Sequence, residues 1–531
     1  MTERFDVIVI GAGAAGLSSA WRLSSYGFKV CCFEQGTFLK SRDLIPISEG
    51  GELQKFSKLS FDPNIRKSKS DFHIDSSESP IHLANYNGVG GSTILFSAQY
   101  PRFHESDFKV YSQDKVGSDW PIDYKDIQKY YEIDQQITGV SGLEGDRFYK
   151  EIKNLMPPVP LGPMGKKISN GFKKLGWHHW PAYSAINTIP YNSRPADNYI
   201  RPSNMGDSTG AKGATDKTYL PLALKNGLIL KTNCQVVNLE SSLKRINSIK
   251  YIDSNNKPQT ATAKFFILAA SGIGTPRLLL HSKSPIHPKG IANSSGLVGK
   301  NLMLHPLGYV EGYFSENISS SLGPQGCCLL SQEFYQTKNE NDFKRGYTMQ
   351  VLRGPLPVEA SLNLISRKLI KLGSKTFIKD FLSYFDHSAH ISIITEDLPD
   401  VKNKIELDYK FKNKFGMPGV KVKYSLSENS KRMISHGLTN GRKLLRSSGA
   451  KKTFAFGPVR NTGWHILGTC KMGDDPKNSV VDKFGKCHDF ENLYISDASI
   501  FSSSGGVNPA STICALSLYI ADCIFQNLKK N

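Results

Sequence analysis

Purely apolar runs are short in this sequence. Stretches such as residues 265–270 fall far short of the roughly 20 residues a bilayer span requires, so no transmembrane helix is expected. Cysteine is sparse and poorly spaced for metal binding. The nine cysteines form no C-x-x-C pair and the doublets Cys31-Cys32 and Cys327-Cys328 suit no zinc site, so no metal centre is expected and the thiols read as reduced and buried. A strand-like run over residues 5–10 leaves no room ahead of it for an export signal, which makes a cytoplasmic location the expectation. There is no helix-turn-helix or RNA-binding motif to give the formal charge of +20 a nucleic-acid meaning. The dispersed lysines read instead as a solvated basic surface.

What is present is a globular balance, 39% apolar and 21% charged residues over 531 positions, enough for a large core and more than one domain. Residues 5–34 read as strand, glycine turn, helix, strand, because 7–10 are apolar and largely β-branched, 14–23 favour helix and 29–33 return extended. Residues 37–81 are polar and read as a surface excursion. Further strands are expected over 228–232 and 265–269, with a helix over 277–281 capped by Thr275 and opened by Pro276. Between about 310 and 455, strands such as 390–394 and 419–424 alternate with helical patterns near 360–385 and 428–447, which suggests a separate domain on the substrate side. A long amphipathic helix over 510–528 closes the chain.

Gly11-Ala12-Gly13-Ala14-Ala15-Gly16 stands between the first strand and the first helix, the context that gives G-x-G-x-x-G its meaning. Gly11 permits the tight turn, Gly13 opens the way for a pyrophosphate onto backbone N–H groups at the start of the helix, where Ala14 and Ala15 lie, and Gly16 lets helix and strand pack closely. Glu34 ends the second strand, placed to accept hydrogen bonds from a ribose diol and to repel a 2′-phosphate. A dinucleotide is expected. The motif alone does not separate NAD from FAD, since both carry an adenosine diphosphate half.

Four further segments, in one order along nearly the whole chain, resemble the glucose-methanol-choline (GMC) oxidoreductases. Asn87-Gly88-Val89-Gly90-Gly91-Ser92-Thr93 resembles the family's loop along the flavin, and the resemblance implies that Ser92 and Thr93 bond phosphate or ribityl oxygens. Residues 270–279, from Ala270, are similar to the second family signature, Val236 matches the place where backbone meets adenine, and residues 296–302 resemble the V-G-x-N-L segment, without the acidic residue common after it. The last block is the most specific: residues 464–473 around His465, then 493–499 with Asp497 and Ala498, then Val507-Asn508-Pro509. It resembles the bacterial flavoprotein dehydrogenases acting on gluconate, fructose and related polyols.

The resemblance implies an α/β fold, with a Rossmann-like FAD-binding domain assembled from residues 1–105, 216–309 and 456–531 and an α+β substrate domain on an antiparallel sheet from 106–215 and 310–455. It implies oxidation of an alcohol, of the sugar, aldonate or polyol class, by hydride transfer to flavin N5, with His465 as base and Asn508 as partner to the substrate oxygen. Asp497 would hydrogen-bond ribityl hydroxyls, and Ala498, Asn508 and Pro509 would also contact the cofactor. Asn508-Pro509 also suits a helix cap and first turn. Leu95 stands where some relatives carry the histidine that attaches FAD covalently, so non-covalent FAD is expected. The electron acceptor, whether quinone, protein carrier or oxygen, stays open, as do choline-like or other primary alcohols and a non-redox FAD lyase. Residues 358–385 read as an amphipathic helix interrupted at Gly373, either packed on its domain, the favoured reading, or laid on an anionic membrane.

Overall fold

The computed structural model describes residues 3–45, 49–199, 203–323 and 326–530. Its first sheet has seven strands and is built outward from the buried strand Glu3–Ile10, with Val30–Phe33 on one side and Pro258–Leu268 on the other, all parallel. Ile229–Lys231 adds a parallel strand beyond Val30–Phe33. The eleven residues of Pro258–Leu268 serve two partners on their outer edge. The first half pairs antiparallel with Ile246–Ile252, which in turn pairs with Gln235–Ser241, and the last three residues pair parallel with Leu493–Ile495.

The register brings the carboxyl ends of four strands level, with Phe33, Ile10, Leu268 and Ile495 in one row. The next residues, Glu34, Gly11, Ala269 and Ser496, therefore share one edge of the sheet, where ligands of open α/β sheets bind. Against the sheet lie the helices Ala14–Ser25 and Ala510–Lys530, packed on one another and joined by an Arg22–Asp522 ion pair. By length and composition the stretch Ala510–Leu528 could cross a membrane, yet 56% of it is buried. Its contacts with Ala14–Ser25 and Tyr124–Thr138 make it a core helix here.

A six-stranded antiparallel sheet forms the second layer, in the order Lys452–Phe456, Leu307–Tyr313, Ser388–Thr395, Tyr347–Leu352, Cys327–Ser331, Trp180–Pro181. One face, with Val310, Met349, Val351, Ile391 and Ile393, packs under the helix Glu428–Ser447 through Met433, Leu444 and Leu445. A third sheet joins Lys404–Lys412 and Pro418–Lys423 to Ile74–Glu78. Residues 37–81, expected as a surface excursion, thus contribute a paired strand, and Ile74 sits in a core of its own with Val420 and Val422. All nine cysteines are unpaired thiols, and eight are buried.

Two local expectations are corrected. The helix expected to start after Thr275 runs Ser271–His281, so Thr275 is no cap and Pro276 lies inside the helix. A proline there removes the bond to the carbonyl four residues back. The Thr469 hydroxyl instead donates to the Gly272 oxygen at 2.8 Å, sparing the cost of about 1–3 kcal/mol for an unmet buried acceptor. The helix expected over 358–385 is interrupted at Gly373 as the sequence suggested, but more widely: Pro357–Ser366 and Phe377–Leu382 are separated by ten residues, with Lys368 and Gly373 at positive φ.

Candidate active site

Between the parallel sheet and the antiparallel sheet lies a cavity of about 880 Å³. Its floor is the aligned strand edge. Gly11, at φ +108°, has no room for a Cβ against the Ala269 carbonyl, and a Cβ on Gly16 would run into the Gly11 carbonyl. Gly16 accordingly closes helix on strand and does not line the cavity. Gly13 does line it, and a Cβ there would meet only the Gly91 Cα, at 3.7 Å. Conversely, a Cβ on Gly91 would come within 2.7 Å of the Gly13 Cα, so the two glycine loops need each other bare. The Gly90 N–H donates to the Ala12 carbonyl at 2.8 Å and ties them together.

The helix Ala14–Ser25 has no side-chain cap and no acid in its first turn. Its leading N–H groups, beside the cavity-lining Gly13, Ala14 and Ala15, are left for an anion. Arg277 adds a positive group. It is buried, holds the Pro418 carbonyl through Nε at 2.7 Å, stacks on Phe72, and keeps an Nη2 with no partner among the described residues. Burial lowers its pKa to about 9. An open helix start and an orphaned guanidinium nitrogen on one cavity wall fit the phosphate-bearing half of FAD.

Most of the other expected cofactor residues reach this cavity: Glu34, Asn87, Gly91, Ser92, Thr93, Val236, Ala270, Asp497, Ala498, Asn508 and Pro509 all line it. Several are more committed to the protein than the motifs suggested. Both Glu34 carboxylate oxygens accept backbone N–H groups, from Ala12 at 2.9 Å and Gly36 at 2.8 Å, and burial raises its pKa. One acceptor position on each oxygen is left for a diol. The Thr93 hydroxyl donates to the Gly90 carbonyl at 2.6 Å, so it anchors the loop rather than donating to a ligand. Gly90, at φ +91°, makes the turn and does not line the cavity. The Asn87 side chain staples Asp71, Asn85 and Gln35. Asp497 accepts from Thr275 at 2.5 Å and from the Ser499 N–H at 2.9 Å.

His465 and Asn508 come together on the far wall, with Asn508 Nδ2 3.5 Å from His465 Nε2. Asn508 is not a helix cap. Its Oδ1 accepts from Gln350 Nε2 at 2.5 Å, and the first backbone bond of the final helix runs from Ile513 to Pro509. Behind His465 stands His305, whose importance no motif marked. His305 Nε2 lies 2.7 Å from the Gly505 carbonyl and 3.0 Å from that of Ser504, so it carries the proton. Burial takes the His305 pKa down to about 4, which keeps the ring neutral and Nδ1 bare. His465 Nδ1, at 2.8 Å, must then be the donor. Desolvation and the neighbouring His305 hold His465 well below its ordinary pKa. Its Nε2 therefore carries the lone pair, turned to the Asn508 amide and the cavity.

The remaining wall is the other face of the antiparallel sheet. Phe456, Tyr309, Ser392 and Gln350 are register partners on four neighbouring strands and all line the cavity. Leu307 and Ile394 flank them on one side and Leu352 and Glu311 on the other. Tyr309, Ser392 and Gln350 thus form a polar row among Phe456, Leu307, Ile394 and Leu352, with Glu311 at the edge held by Arg367 at 3.1 Å.

Two family models, both described as GMC oxidoreductase, match residues 5–307 and 399–517. Over 98% of its length the chain is 33% identical to 2-methyl-1,2-propanediol dehydrogenase of Mycolicibacterium austroafricanum, covering 95% of that protein. It is 28% identical to the fructose dehydrogenase large subunit of Gluconobacter japonicus, with 99% and 98% of the two chains covered. Among solved structures it resembles pyridoxine 4-oxidase from Mesorbium loti, with a TM-score of 0.66 over 98% of this chain and 99% of that one, at 15% identity.

Proposed function

The chain belongs to the GMC oxidoreductases, enzymes acting on CH–OH donors, and from that premise we propose that it is a dehydrogenase for a polyol or related hydroxylated substrate, using His465 as base and non-covalent FAD. The carrying observation is the unprotonated Nε2 of His465, 3.5 Å from the Asn508 amide nitrogen on the cavity wall. An alcohol entering this corner donates its hydroxyl hydrogen to His465 Nε2 while its oxygen accepts from Asn508 Nδ2. As the proton moves to Nε2, negative charge gathers on the oxygen and Asn508 stabilises it, which readies the carbon to lose hydride. FAD, when bound, supplies the two-electron acceptor. Gln350 fixes the Asn508 amide so that its N–H groups, not its oxygen, face the base and the substrate.

The polar row Tyr309, Ser392 and Gln350 supports a substrate with more than one hydroxyl, and the apolar frame of Leu307, Ile394, Leu352 and Phe456 one with an apolar portion. The similarity to a diol dehydrogenase and to a fructose dehydrogenase subunit leans the same way. Anaerobic mixing of the holoenzyme with diols, sugars, aldonates, choline and simple primary alcohols tests this. Bleaching of the flavin by diols or polyols is expected. Consumption of substrate with the flavin still yellow would instead mark a lyase, and the absence of bleaching by any alcohol would reject the assignment.

A further inference from the structure

We propose that the surface around the cavity mouth docks on an anionic lipid bilayer. Two short segments frame that mouth. The turn Gly51–Phe56 and the helix Pro357–Ser366 are clasped by the Glu52 carboxylate, which accepts the Val358 and Glu359 N–H groups at 3.0 and 2.8 Å, and by the Lys55–Glu359 ion pair at 2.9 Å. Phe56 and Leu362 line the cavity and are also exposed, so they stand at its opening.

The apolar side chains here exceed what the domain buries. Leu364 and Ile370 are buried, and Ile365, Leu369, Phe377 and Phe381 pack against them, which satisfies the inner face of both helices. Left outside are Leu53 at 56% exposure, Phe56 at 49%, Leu362 at 51%, Leu372 at 70%, Ile378 at 65% and Leu382 at 60%. Leu53 and Phe56 are three apart in a 3₁₀ turn, and Ile378 and Leu382 four apart in the helix Phe377–Leu382, so each pair shares a face. A group of this kind on a soluble surface marks an interaction site.

Charge selects the partner. Lys368, Lys371, Lys375 and Lys379 are exposed among these side chains. Of the two acids in residues 357–385, Glu359 is paired with Lys55 and Asp380 accepts from the Thr376 hydroxyl, so four exposed lysines face one carboxylate without a cationic partner among the described ion pairs. Exposed apolar side chains with exposed lysines in the same segment suit the interface of an anionic bilayer, where the alkyl groups enter the acyl boundary and the ammonium groups stay with the headgroups. Docked so, the cavity mouth faces the lipid, and a lipid-dissolved small molecule enters without crossing water.

Co-sedimentation of the holoenzyme with phosphatidylcholine vesicles, with and without phosphatidylglycerol, tests the proposal. Binding to the anionic vesicles is expected to exceed that to neutral ones by on the order of tenfold or more at low salt and to fall at high salt. Ile378→Asp with Leu382→Asp is expected to abolish it while leaving FAD content and flavin reduction by a soluble alcohol unchanged. Absence of binding at low salt, equal binding to both vesicles, or full binding by the double variant overturns it. So does saturable binding to an acidic protein carrier without any to lipid.

Discussion

His305 Nδ1 lies 2.8 Å from His465 Nδ1, and because His305 Nε2 is committed to two carbonyl oxygens, this contact decides which nitrogen of His465 is the base. His305→Ala removes the acceptor and lets the His465 ring take either tautomer. Flavin reduction is expected to slow by about 10- to 100-fold, as when a residue orienting a histidine is lost. FAD content should hold. His305→Gln, which can offer a carbonyl oxygen to the same N–H, should recover part of the rate, whereas a merely structural role predicts no difference in rate between correctly folded Ala and Gln variants.

The same pair sets a pH dependence. Both imidazoles titrate below the ordinary value of about 6.5, His465 through desolvation and then His305, and His305 at about 4 through burial. The base is therefore already neutral at mildly acidic pH, and rapid-reaction flavin reduction should show no loss of rate through about pH 6. An inflection near 6.5 assigned to His465 would contradict this. Stability follows with a definite sign. Between about pH 6.5 and 4 the unfolded chain binds protons that the folded His305 refuses, so this contribution is present above 6.5 and lost as pH falls. Buried Asp134 and Asp397, raised to about 7 and about 6 by burial, act oppositely and lose their contribution as pH rises. Melting temperatures of His305→Gln should thus decline less on acidification than those of the parent chain.

Much of the nucleotide edge was legible because each signal there is local. Gly11, Gly16 and Glu34 act within one strand-turn-helix unit, and the structure puts a carbonyl against each of the two glycines. The substrate wall was not legible. Tyr309, Ser392 and Gln350 alternate with buried apolar residues along their strands, a pattern that reads as a solvent face until a second sheet is seen to cover it. His305 was invisible for another reason: its partners lie 160 to 200 residues away in sequence. Pro276 misled because a threonine-proline pair usually opens a helix, and here a distant hydroxyl from Thr469 replaces the missing bond.

Gly13 and Gly16 should separate cofactor loss from misfolding. A Cβ at Gly13 meets only ordinary contact with Gly91, so Gly13→Leu points its side chain into the cavity and should weaken FAD binding strongly while the apo chain still folds. Gly16→Ala drives a methyl into the Gly11 carbonyl and should lower the melting temperature of the apo chain itself. Equal FAD occupancy in Gly13→Leu would refute the phosphate turn.

Leu95, buried and lining the cavity, is the residue that the family resemblance puts in place of an attaching histidine, so non-covalent FAD is the expectation to test. Acid or denaturant should release all the flavin and leave a colourless chain. Colour that stays with the denatured protein on a gel would show the opposite.

Asn508 offers the sharpest test, because its Oδ1 is taken by Gln350 and its Nδ2 lies 3.5 Å from the unprotonated Nε2 of His465. Asn508→Ala removes a donor to the developing alkoxide and should slow reduction by about 100- to 1,000-fold, the usual range for one such donor. Asn508 caps no helix, but alanine orphans the buried Gln350 Nε2, so a loss of stability of about 1–3 kcal/mol should accompany the slower reduction. Asn508→Asp brings a carboxylate toward both the base and the substrate oxygen. It should raise the pKa of His465 by stabilising the imidazolium, repel the alkoxide, and slow reduction at least as much as alanine does. The acid limb of the rate profile should move upward in that variant alone. Gln350→Leu leaves Asn508 in place but frees its amide to rotate, so a smaller loss is expected, with FAD retained. Near-normal reduction by His465→Ala, with flavin bound, would overturn the base assignment on which all three variants depend, because removing a positioned general base should cost about 100- to 10,000-fold.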